Sequence, residues 1–194
     1  MINKDIVQDR VLKLLYEEPS LVLALKEKYV TDEIWKFCIE REPALFEQMK
    51  HPSIELCNYA VSVDGYNLKY IRSTFNYIKI TEKMVYVAVN NCASAILFVP
   101  PKLLSTGLKE LAFDKDPSLM INYDDIRPEY IRKKLDEDPA YLKYIRNADE
   151  NLICDVLIRN PNMIVYFDTL TPKMTTVLKE YHPNVFELYS KFKG

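Results

Sequence analysis

The chain has 194 residues, 48% of them hydrophobic, with 26 Lys and Arg against 28 Asp and Glu for a net charge of -2. That is enough apolar material for one domain or two small ones and rules out wholesale disorder. Only 3 glycines against 11 prolines argue against a Gly-rich phosphate loop or a fold of many tight hairpins, and charge balanced within each half argues against a basic nucleic-acid tail or an acidic mimic of DNA.

At the amino terminus, Met1 to Arg10 carries charges where a signal peptide needs an apolar stretch. No apolar run approaches the ~20 residues of a bilayer span, so a cytoplasmic protein with no membrane partner is expected. One unit then repeats eight times, anchored on Pro19, Pro43, Gly65, Ala93, Pro117, Pro139, Pro161 and Pro183, at spacings of 24, 22, 28, 24, 22, 22 and 22 residues. Columns not used to choose the anchors agree. Three residues after the anchor stand Val22, Phe46, Leu68, Ile96, Met120, Leu142, Ile164 and Phe186; six after stand Leu25, Met49, Ile71, Val99, Tyr123, Ile145, Phe167 and Tyr189.

Twelve residues before their anchors, Thr31, Ser53, Thr81, Ser105, Asp149 and Thr171 predict helix starts, because a short side-chain oxygen there satisfies an orphan amide donor. After each cap comes an i, i+1, i+4, i+5 apolar stripe, as in Ile34, Trp35, Cys38 and Ile39 or Leu152, Ile153, Val156 and Leu157. That stripe is one face of a helix of about ten residues. Asp64, Asp116, Asp138 and Asn160 stand immediately before an anchor and predict a second helix of about seven to nine residues, whose positions three and six share a buried face. Helices this short must bury their stripes against neighbours, which predicts a single all-α domain over 1–194. Its architecture is an α-solenoid, of undetermined hand, of about eight helix-hairpin repeats of 22–28 residues. Arg72 to Ile80 is an insertion, and Val99-Pro100-Pro101 suggests a hinge near 99–107. Trp35, Phe46, Leu142 and Ile164 are expected in the core.

The third repeat, Ala60-Val61-Ser62-Val63-Asp64-Gly65-Tyr66-Asn67-Leu68-Lys69-Tyr70, resembles the short helical repeat known as domain of unknown function 4116, whose units look like A-V-x-x-x-G-x-x-L-x-Y. The fourth is similar over Ala88-Val89 to Phe98, with Ala93 in place of glycine; elsewhere proline replaces it and only the apolar skeleton remains. The resemblance implies a helical-repeat fold and defines no catalytic residue. It also suggests a compact array of the kind a phage or other mobile element carries.

The residues offer no catalytic or metal site. Cys38, Cys57, Cys92 and Cys154 are widely spaced, without a C-x-x-C pair, and read as free thiols. His51 and His182 each precede a proline and read as loop or capping residues. The clusters Asp124-Asp125 and Asp136-Glu137-Asp138 fall between expected helices, where they cap and solvate. No cofactor is implied.

Fourteen tyrosines are many for this length, and Tyr70, Tyr144 and Tyr166 all stand five after their anchors, bordering the core. Seven after the anchor stand Lys26, Lys50, Arg72 and Arg146. The string Leu-Lys-Tyr-Ile-Arg occurs at both 68–72 and 142–146, adding Lys69 and Lys143 three residues earlier on the same expected helical face. These six cations are the candidate binding residues, a basic ladder that an acidic partner surface or a phosphate backbone could follow unless they only complement helix C-termini. The function expected is a non-enzymatic protein-binding repeat module, in concrete form a phage-type modulator of a host protein. Nucleic-acid binding and structural self-assembly are the alternatives.

Overall fold

The computed structural model describes residues 4–193. About three quarters of the chain is helical, and no strand occurs among the described residues. The α-helices are α1 Lys4–Glu17, α2 Asp32–Arg41, α3 Ile54–Val63, α4 Leu68–Ser73, α5 Glu82–Asn91, α6 Thr106–Lys115, α7 Pro128–Glu137, α8 Glu150–Arg159, α9 Pro172–Tyr181 and α10 Pro183–Lys193.

Each helix start follows from its cap. Thr31, Ser53, Thr81, Ser105 and Thr171 all accept the backbone N–H three residues on, at 3.1–3.4 Å. Two of these hydroxyls also tie neighbouring repeats together: Ser53 Oγ donates to Asp32 Oδ2 at 2.6 Å and Thr171 Oγ1 to Glu150 Oε1 at 2.5 Å. Asp149 stands at its N-cap without a side-chain bond, and Arg127, where the cap column lapses, is followed by Pro128 at the first helical position.

Each stop is equally local. The residue before every anchor, from Glu18 to His182, has φ between -135° and -151°. In six of eight repeats a proline follows, and its ring excludes the α region from the residue before it.

The second helix of the repeat, expected at about seven to nine residues, is shorter and tighter in six of the eight repeats. Pro19–Ala24, Pro43–Gln48, Ala93–Phe98, Pro117–Asn122, Pro139–Tyr144 and Pro161–Tyr166 are 3-10 segments of six residues. The residue six after the anchor closes each one by returning its N–H to the carbonyl three residues earlier, as Met49 to Phe46 and Ile145 to Leu142, both at 3.2 Å. A ten-residue α-helix is ~15 Å long; six 3-10 residues return ~12 Å of that and six α residues only ~9 Å. The tighter helix therefore suits a 22-residue repeat, in which three residues separate the closing residue from the next cap. Where the spacing is 24, the two added residues accommodate a further 3-10 turn, Glu27–Tyr29 or Pro101–Leu103.

The chain packs as two compact units, one ending at Asp116 and the other beginning at Pro117. The stretch 99–107 lies inside the first. In the N-terminal unit α2, α3, α5 and α6 pack in sequence order, and Pro43–Gln48, Gly65–Asn67 and Ala93–Phe98 form a second row. In the C-terminal unit the segments at 117–122, 139–144 and 161–166 pack successively, and α8 lies on α9, with α10 against α9. Both cores are made by the sequence columns: three after the anchor, seven of eight side chains are buried, and Phe186 in the last repeat is half-buried. Phe46, Leu142 and Ile164 are buried as expected; Trp35 is half-buried, packed on the edge of the Ile34 and Cys38 cluster.

Gly65 explains the irregular third repeat. A Cβ there would stand 2.0 Å from the Ala88 carbonyl oxygen, so only glycine lets this backbone lie against α5. Buried Asn67 donates to the Ala60 carbonyl at 3.0 Å, fixing the turn that leads into α4. Nine residues then precede the next cap, so α4 has room to run on to Ser73, and Phe75 in the insertion packs edge-on against Phe46 at 5.2 Å.

Candidate interaction surface

In the N-terminal unit the 3-10 row carries an aromatic and cationic cluster. Tyr66 lies edge-on to Phe98 at 5.2 Å and to Tyr70 at 6.5 Å; Lys69 Nζ lies 5.4 Å from the Tyr66 ring centre and 5.5 Å from that of Tyr70. Local sequence makes this geometry. Tyr66 follows the close approach at Gly65, Lys69 and Tyr70 stand three and four residues on, and Phe98 arrives from the next repeat at the same register as Tyr70. Burial first, and the Glu47 carboxylate second, push the Tyr70 phenol above its ordinary range.

The six candidate cations separate into groups. Lys26 and Lys50 are exposed and border one groove of about 510 Å³, with Val22, Trp35 and Met49 beneath them. Half-buried Lys69 and exposed Arg72 lie one turn apart on α4 and do share a face. Lys143 and Arg146 do not: Lys143 belongs to the 3-10 segment and Arg146 lies two residues beyond its end. Both are exposed, and both belong to the C-terminal unit. Lys143 Nζ lies 4.7 Å from the Tyr144 ring centre, and hydrogen bonding to that phenol raises its pKa.

Sequence reasoning missed Tyr66, Phe98 and Glu47. Phe98 was within reach, since it continues the column of Tyr70, Tyr144 and Tyr166; Tyr66 joins the cluster only through the approach of two repeats.

The histidine and acidic groups singled out in the sequence have partners within the fold. His182 ends α9, its Nε2 2.7 Å from the Ile158 carbonyl of α8. Asp64 and Asp138 accept the N–H two residues on, at 2.9 and 2.8 Å; Asp136 pairs with Arg159, Glu137 with Lys134 at 2.7 Å, and Asp124 accepts from Asn147 at 2.8 Å. Asn160, at the corresponding place, makes no capping bond. All four cysteines are free. Burial pushes the Cys38 thiol up to about 11 and Cys57 to about 12, and raises Cys154. Among the described residues no group of three His, Cys, Asp or Glu side chains is placed to hold a metal ion, and no helix is long and apolar enough to cross a membrane.

The chain matches no family model, no curated protein and no solved structure.

Proposed function

We propose that this chain is a protein-binding helical-repeat module without catalytic activity of its own, and that the partner meets the edge of the N-terminal unit at Tyr66, Lys69, Tyr70, Arg72 and Phe98. The observation that carries the reading is the cluster itself: Tyr66 is 37% exposed and braced by Phe98, with Lys69 against two rings. Braced tyrosines present large contact area at low entropic cost, and Tyr and Arg are enriched among the side chains that dominate interface energies. Repeat arrays supply the extended surface that such contacts need. Cys38 and Cys57 are poor candidates for covalent chemistry, since both thiols are buried and stay protonated near neutral pH.

Charge reversal of Lys69 and Arg72 to Glu tests it. The double variant should keep its unfolding free energy within about 1 kcal/mol of the parent. It should lose the stoichiometric protein that co-purifies with the parent from native lysate. Retention of that protein at unchanged affinity and salt dependence would place the site elsewhere, and recovery of RNA or DNA in its stead would replace the reading with nucleic-acid binding.

A further inference from the structure

A second surface draws on none of the cluster residues. The start of α5, the added turn Pro101–Leu103 and the first half of α6 enclose a groove of about 850 Å³ within the N-terminal unit. Leu104, Leu108 and Leu111 give it an apolar lining, and Tyr86, 57% exposed, stands on its wall. Its rim carries Lys83 and Lys102, both exposed and neither in an ion pair among the described residues; Glu82, the one acidic lining residue, belongs to the first turn of α5, where it complements the helix dipole.

Gly107 is the second observation. It lines the same groove as the second residue of α6, in the first turn, where glycine still favours the helix less than alanine does. Gly65 has an internal reason to be glycine; Gly107 has none, since its φ is not positive and a Cβ there would meet nothing within 4 Å. A missing side chain that serves no contact within the chain leaves the helix backbone open to something outside it.

We propose that this groove holds a short acidic segment of a partner protein. A large apolar side chain of the segment rests on Leu104, Leu108 and Leu111, its backbone passes over Gly107, and its carboxylates meet Lys83 and Lys102. The net positive rim over an apolar floor selects that chemistry, because a basic segment would meet two unpaired ammonium groups. The proposal rests on the reading of the chain as a protein-binding module and adds a site and a partner chemistry to it.

Glycine-selective ¹⁵N labelling of the full chain tests it, because the sequence contains only Gly65, Gly107 and Gly194. The probe is a pool of short synthetic peptides rich in Asp and Glu, each with one or two Leu or Phe, alongside a pool with Lys in place of the acids. The acidic pool should move the Gly107 signal, leave Gly65 in place, and weaken with salt; the basic pool should move neither. Gly107→Leu, whose Cβ meets nothing within 4 Å, should melt no lower than the parent and bind the acidic pool at least about tenfold more weakly, as should Lys83→Glu with Lys102→Glu. The proposal fails if no acidic peptide moves Gly107, if Gly107→Leu binds as well as the parent, or if a single-stranded oligothymidylate moves Gly107 and peptides do not. The Lys69 and Arg72 reversal should leave peptide binding intact. If that variant loses its lysate partner while peptides leave Gly107 unmoved in the parent, the module reading stands and the groove proposal falls.

Discussion

Leu68–Arg72 and Leu142–Arg146 are the same five residues in two conformations. In the third repeat they are the body of α4; in the sixth they are the end of a 3-10 segment and the turn after it. Propensity cannot explain the difference, since the residues are identical. The flanks can: Gly65 against Pro139 at the anchor, Asn67 bonded to Ala60, and nine residues before the next cap against three. Chain length to the next fixed point decides which helix forms. The consequence reaches the surface, because Lys69 and Arg72 share a face and Lys143 and Arg146 do not.

Deleting the shared leucine sharpens this comparison most. Leu68 is 0% exposed and Leu142 is 5% exposed, so Leu68→Ala should fall toward the upper end of about 2–5 kcal/mol and Leu142→Ala toward the lower end, read from urea midpoints. Equal losses would mean that the two repeats pack alike. Next comes Gly65→Ala, expected to cost about 3 kcal/mol because backbone must move to admit the Cβ; a neutral outcome would remove the reason given for the third repeat. Among the caps, Ser53→Ala should lose about 1 kcal/mol, since Ser53 holds both Leu56 N–H and Asp32, while Asp149→Ala, with no side-chain bond to lose, should stay within about 0.5 kcal/mol. An effect of the opposite sign comes last: Gly107→Ala should stabilise by about 0.5 kcal/mol in thermal melts, because nothing opposes the new methyl.

Much of this fold was legible in the sequence. The caps located the starts of six ten-residue helices, and the column three after the anchor located the core. The type of the second helix was also written there: anchors, third and sixth positions stand at a period of three, which is the 3-10 repeat, whereas an α face alternates three and four. Trp35 was expected in the core from its place in the stripe and is half-buried, although the same place in the next two repeats, Cys57 and Val85, is buried; the large indole borders the groove at Lys26 and Lys50 instead. The candidate surface was legible only in part. Lys69, Arg72 and Tyr70 belong to columns, but their cluster with Tyr66 and Phe98 depends on two repeats meeting where Gly65 removes a side chain, and no single repeat contains that fact. The α5–α6 groove depends in the same way on the path of Pro101–Leu103, visible beforehand only as two residues beyond the 22-residue spacing.

The central claim, that spacing to the next cap sets the helix type of an identical string, is tested most directly by backbone nuclear Overhauser contacts in the full chain. The account predicts Hα–HN contacts between residues i and i+4 within Leu68–Ser73. Across Pro139–Tyr144 it predicts contacts between i and i+2 with none between i and i+4. Contacts between i and i+4 across both segments would contradict it.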